Sequence, residues 1–289
     1  MTASTSADGL ARYVQGWNPE PVLTVDAVDP ATAQQLAATL DLPEVFESGS
    51  ALPPLWQWVY FTDWPPTADL GADGHPLAGH FLPPIPNRRR MFAGGRLTVT
   101  SPLTLGAPAE RHAGITAIKV KSGRSGELMF VTVRYDYRQN GETALVEEQD
   151  IVYRSDSGAS TAFTRGTEPL PDTDVAWSAR PTTTPPLLFR FSALTANAHR
   201  IHYDEAYTTG TEGYPGLVVH GPLLAVYMAE LVRARAADRP VREFEFRLEK
   251  PVFVDEAIEV QGTPDRDTVQ LAVVSGGGTV HASASARLA

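Results

Sequence analysis

The chain has 289 residues, 43% of them hydrophobic and 20% charged, so it is long enough for two packed units and has the composition of a globular protein. Lys and Arg number 24 against 34 Asp and Glu, and the net charge of -10 without a sustained basic stripe argues against nucleic acid as a partner. Cysteine is absent, which excludes disulfides, thiolate metal sites and a cysteine nucleophile.

The first eight residues have neither the basic start nor the apolar run of a signal peptide, and no stretch reaches 18 consecutive apolar residues. We therefore expect a cytoplasmic protein that does not enter a membrane. The largest basic cluster is Arg88-Arg89-Arg90. A solvated loop or an ion-paired strand start is the favoured interpretation of this cluster, ahead of a contact with the phosphates of coenzyme A.

In the first half, residues 128–137 alternate between apolar and polar side chains, which predicts a strand. Asn140 and Gly141 then predict a hairpin turn, and residues 144–153 supply the returning strand. The range 155–186 is rich in Ser, Thr, Gly, Asp and Pro, which is typical of an exposed connector.

In the second half, apolar residues at helical spacing predict one long helix over 222–236, with Gly221 before it and Pro222 in its first turn. Alternation at 244–248 and apolar stretches at 258–260, 269–274 and 280–288 predict an antiparallel meander after the helix.

The first half repeats this order. Residues 52–60 resemble the helix start at Gly221, and residues 90–103 resemble residues 242–252. We interpret this as an internal repeat in which a long helix is wrapped by a strongly curved antiparallel sheet. The result is an α+β architecture whose two sheets can join edge to edge.

Three of the seven histidines lie between residues 199 and 220. His199 and His202 are three positions apart, a spacing that a pair of metal ligands can have. The surrounding run is not a strong helix, and the sequence places no acidic or histidine set nearby to complete a ligand geometry. We therefore predict no metal site.

Residues 191–204, which read Phe-Ser-Ala-Leu-Thr-Ala-Asn-Ala-His-Arg-Ile-His-Tyr-Asp, resemble the hydratase 2 motif of MaoC-like (R)-specific hydratases and dehydratases. In that family, Asp-x-Asn-Pro-aliphatic-His-x-Asp precedes a His-Gly pair that starts the central helix. The resemblance places His202 on the catalytic His and Gly221 on the glycine whose N–H contributes to the oxyanion hole. Asn197 stands where the family has its catalytic Asp, and His199 stands where it has Asn.

Together with residues 212–222 and 89–95, the motif resembles the branch that contains mesaconyl-C4-CoA hydratases and hydroxyacyl-thioester dehydratases type 2. This implies a double hot dog fold: an N-terminal hot dog over 1–154 without the catalytic motif, a linker over 155–186 and a C-terminal MaoC-like hot dog over 187–289. One active site per chain follows, since no Asp/Asn-x-x-x-x-His pattern occurs between residues 20 and 60.

Hydration of an unsaturated thioester needs proton transfer and dipoles that face the thioester oxygen, where enolate charge develops. We expect His202 to be the main acid/base and Asn197 to orient water, because an amide does not take up a proton as a carboxylate does. His199 or Asp204 would compensate for the missing carboxylate. The Gly221 N–H, at a helix start, would face the anion.

Substrate binding is assigned to Tyr214, Gly216 and His220, and a structural role for His199 and His220 stays open. The function expected from the resemblance is an (R)-specific enoyl-thioester hydratase or 3-hydroxyacyl-thioester dehydratase. Its substrate would be a CoA thioester, including one like mesaconyl-C4-CoA, or a carrier-protein thioester. No cofactor is expected beyond the CoA of the substrate, and the assembly would be a monomer or a homodimer.

Two alternatives remain open. A hot dog acyl-CoA thioesterase would place an acidic group on or near the central helix, and Glu230 lies far from the Gly221 end. The second alternative is a non-catalytic acyl-thioester binding protein, because Asn197 stands where the family has its catalytic Asp.

Overall fold

The structure is a computed structural model that describes residues 9–85, 89–123, 126–154 and 163–289. Its strands are β1 (Val22–Asp26), β2 (Arg89–Val99), β3 (Ala109–Gly123), β4 (Gly126–Gln139), β5 (Glu142–Arg154), β6 (Trp177–Ala179), β7 (Val241–Leu248), β8 (Ile258–Asp265), β9 (Thr268–Ser275) and β10 (Thr279–Leu288). Its α-helices are α1 (Pro30–Thr39), α2 (Pro185–Leu194), α3 (Glu205–Gly210) and α4 (Gly221–Arg235).

All ten strands belong to one antiparallel sheet in the order β1-β3-β4-β5-β2-β7-β10-β9-β8-β6. Counted outward from the junction between β2 and β7, the order is β2-β5-β4-β3-β1 in the first half and β7-β10-β9-β8-β6 in the second half. Corresponding strands of the two halves therefore occupy corresponding positions. The junction itself pairs Leu97 with Phe244 and Gly95 with Phe246. The predicted internal repeat and the edge-to-edge union of two sheets are therefore confirmed, and with them the double hot dog fold.

The second half contains the predicted long helix. Helix α4 begins at Gly221, has Pro222 in its first turn, where proline costs no hydrogen bond, and buries eight of its 15 residues. Residues such as Leu223, Met228 and Val232 are fully buried in the large hydrophobic core that both halves share. The predicted strands after this helix correspond to β7, β8, β9 and β10, and β8, β9 and β10 form the predicted meander.

The first half differs at the segment predicted to begin a helix. Residues 52–60 form only one 3-10 turn, Trp56–Val59, and no helix longer than α1 occurs among the described residues 9–85. Leu55, before the turn, has a left-handed φ of 70°. The left-handed Leu55 separates the turn from the prolines at 53–54, and a second proline pair at 65–66 opposes extension of the turn into a longer helix, because proline lacks an N–H and restricts the residue before it.

A buried carboxylate anchors this turn. Glu147 on β5 is 1% exposed and accepts hydrogen bonds from Gln57 Nε2 at 3.1 Å, Trp58 Nε1 at 2.7 Å, Tyr137 Oη at 3.0 Å and Gln149 Nε2 at 2.6 Å. Four donors compensate a charge that would otherwise be costly to bury. The turn is thus attached to the sheet by polar contacts as well as by the buried Trp56 ring.

The range predicted as a linker is described from residue 163 onward. Part of it is ordered against the second half, since β6 pairs with β8 and α2 begins at Pro185. Of the basic cluster, Arg88 lies outside the described residues, whereas Arg90 belongs to β2. Within the described ranges, the structure contains no helix long and apolar enough to cross a bilayer.

Candidate functional site

His202 is held in a buried position between α2 and α4. It ends the 3-10 turn Arg200–His202 and is 7% exposed. Its Nδ1–H donates to the carbonyl of Val218 at 2.7 Å, and the Val218 N–H donates to the carbonyl of Ile201 at 2.9 Å. A carbonyl only accepts, so the bond assigns the proton to Nδ1 and leaves Nε2 with its lone pair.

His220 lies against His202 immediately before α4. The two rings are stacked with centroids 3.6 Å apart and an interplanar angle of 17°. His220 Nε2 is hydrogen-bonded to Ser192 Oγ at 2.8 Å, while its buried Nδ1 has no hydrogen-bond partner among the described residues. His199 approaches His202 from another side with a ring distance of 5.6 Å. The three neighbouring histidines of the sequence therefore form one cluster in space.

Burial keeps this cluster neutral at pH 7. It lowers the pKa of His202 to about 4, against the opposing effect of the Val218 hydrogen bond. Burial, together with the neighbouring histidines, lowers the pKa of His199 to about 2 and that of His220 well below its ordinary value. Neutral imidazoles accept protons, so the cluster favours base chemistry over a standing positive charge.

Gly221 is the first residue of α4, and its amide therefore belongs to the positive end of the helix dipole. A Cβ at this position would lie 2.3 Å from Leu248 Cδ1, so a larger residue would require the Leu248 side chain of β7 to move. The helix start predicted to stabilise an anion is thus next to His220 and, through it, to His202.

Asn197 and Asp204 have local partners. Asn197 Oδ1 accepts the N–H of His199 at 3.1 Å, which leaves the amide Nδ2 as a donor. Asp204 is the N-cap of α3 and accepts from the Tyr207 N–H at 3.0 Å and from Arg200 Nη2 at 2.7 Å. Its two oxygens therefore serve the cap and an ion pair, and the structure shows no contact between this carboxylate and His202.

Tyr214 and Gly216 pack against residues of the connector predicted over 155–186. The Tyr214 ring stacks on Phe163 with centroids 5.5 Å apart and lies 6.2 Å from Phe253. A Cβ on Gly216 would lie 2.2 Å from Arg165 Nη2. These contacts build a wall beside Ile201 and Val218, and the substrate-binding role of Tyr214 and Gly216 stays a prediction.

The structure adds two residues from the first half that the sequence did not suggest. His75 Nδ1 lies 2.9 Å from Asp73 Oδ2, and the His75 ring is 4.0 Å from that of His199. Ligand atoms of these three residues all lie within 4.8 Å of one another. The expectation that no acidic or histidine set lies near His199 is therefore wrong, because the set comes from a distant part of the chain.

A signal for this loop exists in the sequence, since Asp73-Gly74-His75 combines an acid and a histidine within a Gly- and Pro-rich stretch. The Asp73 carbonyl accepts the Arg200 N–H at 2.8 Å, and the Ala72 carbonyl accepts Arg200 Nη1 at 2.9 Å. Arg200, which stands where the family motif has proline, therefore fastens the loop to the motif.

Comparison with known proteins gives a consistent result. The family model for hydroxyacyl-thioester dehydratase type 2 matches residues 55–254. The mesaconyl-C(4)-CoA hydratase of Chloroflexus aurantiacus is 44% identical over 285 residues, which cover 98% of this chain and 99% of that protein. The mitochondrial hydroxyacyl-thioester dehydratase type 2 of Schizosaccharomyces pombe is 28% identical over 236 residues, covering 73% of this chain and 77% of that protein.

Among solved structures, a MaoC-like dehydratase from Phytophthora capsici superposes with a TM-score of 0.70. The match covers 96% of this chain and 98% of that one at 11% sequence identity. At such identity the likeness concerns the fold, and it agrees with the ten-stranded sheet described above.

Proposed function

The chain belongs to the hydroxyacyl-thioester dehydratase type 2 family, and from this premise we propose that it is a hydro-lyase that adds water to, or removes it from, a CoA thioester. The observation that carries the proposal is the full-length similarity to a mesaconyl-C(4)-CoA hydratase. We propose mesaconyl-C4-CoA or a similar α,β-unsaturated acyl-CoA as substrate, with a carrier-protein thioester as the variant to be compared.

In the proposed mechanism, His202 is the main acid/base. Its Nδ1–H is committed to Val218, so Nε2 is the atom that takes a proton from water. As the water oxygen bonds to the β-carbon, electrons of the double bond move toward the thioester oxygen. The proton is then returned from Nε2 to the α-carbon, and the enzyme is left unchanged. Dehydration is the same sequence in reverse.

The developing enolate needs a positive potential at the thioester oxygen. We propose that the Gly221 N–H at the start of α4 supplies it, because the helix dipole and an amide donor act in the same direction there. Asn197 has its Oδ1 occupied by the His199 N–H, so we assign Nδ2 to the oxygen of the attacking water. All these contributions come from protein groups, and the proposed chemistry uses no cofactor beyond the CoA of the substrate.

The thioesterase alternative fits the site less well. Glu230 lies nine positions after Gly221, about 13 Å along a helix at 1.5 Å per residue. Its carboxylate accepts from Trp56 Nε1 at 2.9 Å and pairs with Arg233 at 2.6 Å. An acidic group engaged in this way stabilises the contact between the two halves and is remote from the histidine cluster.

The test is a panel of CoA thioesters followed at the absorbance of the conjugated enoyl-thioester, with mesaconyl-C4-CoA included. We expect loss of that absorbance without release of free thiol. Thiol release at the same rate would replace the proposal by the thioesterase, and binding without turnover of any panel member would replace it by a binding protein. Repeating the panel with carrier-protein thioesters identifies the carrier.

A further inference from the structure

The motif in the second half lacks the catalytic carboxylate of the family. Asn197 occupies the place of the family Asp, and Asp204 is engaged by the Tyr207 N–H and by Arg200. Among the charged groups that influence the pKa of His199, the acidic one is Asp73, which lies 126 positions earlier in the chain. The first half therefore contributes a carboxylate to this region, beside Glu212 of the second half, whose charge acts on His75.

We propose that Asp73 and His75 form a dyad that completes the active site, with His75 as a second acceptor for the attacking water and Asp73 as the residue that positions it. This inference rests on the proposed function. Asp73 Oδ2 accepts the Nδ1–H of His75 at 2.9 Å, so Nε2 of His75 keeps its lone pair. Such a carboxylate orients an imidazole and stabilises any positive charge on it.

The dyad is continuous with the site. The His75 ring contacts that of His199 at 4.0 Å, and His199 reaches His202 at 5.6 Å. His75 is also half-buried, with 20% of its side chain exposed, and so retains access to solvent for proton exchange. Burial lowers the pKa values of His75 and His199, and the positive charge of Arg90 on β2 lowers them further.

The backbone around the dyad is specified closely. Asp73 Oδ1 accepts the His75 N–H at 3.0 Å, and the Gly71 N–H donates to the His75 carbonyl at 2.8 Å. Gly74 has a φ of +88°, and a Cβ there would lie 1.8 Å from the carbonyl oxygen of Ala198. The loop therefore rests directly on the motif segment, at a distance that glycine alone permits.

The assignment gives each valence of the attacking water a partner. Its two hydrogens are accepted by Nε2 of His202 and Nε2 of His75, one lone pair accepts from Asn197 Nδ2, and the other attacks the β-carbon. One proton leaves to His202 as the C–O bond forms and is returned to the α-carbon, so atoms and charge balance. In this arrangement His75 has the water-holding role that a carboxylate at position 197 would have had.

The same three residues, Asp73, His75 and His199, have donors that a zinc-type ion accepts, so metal binding is the competing outcome. We favour the dyad because the Asp73–His75 contact already satisfies both groups as a hydrogen bond. Elemental analysis of purified protein, before and after dialysis against a chelator, separates the two. One equivalent of metal whose removal abolishes hydration would overturn the dyad.

The decisive variants are His75→Gln and Asp73→Asn in the full chain. We expect His75→Gln to lower kcat about 100-fold with KM changed less than about threefold, since general acid–base groups contribute about 10²–10⁴-fold. Asp73→Asn still accepts the Nδ1–H but has no charge, so we expect a loss of about 10-fold, with Asp73→Glu recovering part of it. Wild-type kcat in His75→Gln would overturn the proposal.

A matched control comes from an exposed pair in the same half. His112 Nε2 lies 3.0 Å from Glu110 Oε2 on β3, remote from the motif, so His112→Gln should leave kcat unchanged. Nitrogen NMR of ¹⁵N-histidine protein gives a readout independent of turnover. We expect the spectrum of the wild type to contain a neutral Nδ1–H imidazole signal from His75. This signal should vanish in His75→Gln and shift in Asp73→Asn. A wild-type spectrum without this signal would overturn the dyad. If that signal is present but no thioester is hydrated, the proposed function alone fails.

Discussion

The two halves of the molecule share a strand order and differ in what they place against the sheet. The second half wraps its five strands around α4, whose start adjoins the histidine cluster. The first half has a 3-10 turn and an extended, Pro-rich segment in the corresponding part of its sequence. Within that segment, residues 71–75 reach across and contact the motif. Loss of regular structure in one half thus brings a histidine and a carboxylate to the motif of the other half.

The largest expected effect concerns the number of sites. If the second half has the only acid/base centre, His202→Ala should lower kcat by about 10³-fold or more, within the range for loss of a general acid–base group. The measurement is hydration of mesaconyl-C4-CoA under saturating substrate. Residual activity near half of wild type would instead mean that each half has its own site, which would contradict the functional difference between the halves. Far-UV circular dichroism checks that the variant is folded.

The second prediction tests whether the loop of residues 71–75 in the first half contributes to activity. Gly74→Ala places a methyl group 1.8 Å from the Ala198 carbonyl oxygen and requires a left-handed φ, so the loop should move away from the motif. We expect kcat to fall about 10-fold to 100-fold, with the global unfolding midpoint within a few degrees of wild type. Gly141→Ala is the control, because it also has a positive φ but no atom within 4 Å of the added Cβ. Equal kcat losses in the two variants would contradict a loop-specific role.

A pH titration sharpens the comparison for the buried histidines of the second half. Burial lowers the pKa of His202 from 6.5 to about 4, so between these values the unfolded chain binds more protons than the folded one. The free energy of unfolding should therefore fall as the pH drops through this window. Urea unfolding at several pH values measures it, and His202→Asn serves as the reference that removes this contribution. A pH dependence identical in both proteins would show that His202 is not the group concerned.

The smallest effect is expected from removal of a helix N-cap, and each half offers one to compare. Asp29 caps α1 by accepting from the Ala31 N–H at 2.8 Å, and Asp204 caps α3 by accepting from the Tyr207 N–H at 3.0 Å. Replacing either by Ala should cost about 1 kcal/mol of unfolding free energy, and kcat should change little. A large loss of kcat confined to Asp204→Ala would restore this carboxylate to the chemistry and weaken the case for Asp73.

Local sequence patterns were sufficient for much of the fold. Alternation over 128–137 and the Asn140-Gly141 pair predicted β4, its turn and β5, because a two-residue period and a left-handed turn are properties of neighbouring residues. Helical spacing after Gly221 likewise predicted α4 to within one residue at each end. The short-range motif around His202 was sufficient for the family, which the comparisons confirmed.

Similarity between segments was less reliable. Residues 52–60 resemble the start of α4, yet they form only a 3-10 turn. Leu55 has a left-handed φ before the turn, a proline pair at 65–66 follows it, and Glu147, from a distant strand, accepts hydrogen bonds from its polar side chains. The fold class survived this error because the sheet, and not the first helix, defines the repeat.

The sequence by itself determined β4, β5, the long helix α4 and the strands that follow it, that the chain repeats, and that His202 and Gly221 stand at the motif. Only the tertiary structure decided which carboxylate lies near the site. Asp73 meets His199 across 126 positions, and no local periodicity encodes such a contact. It depends on the joining of two sheets at β2 and β7 and on a loop fastened by Arg200, since a long-range contact is specified by how surfaces pack and not by the order of neighbours along the chain.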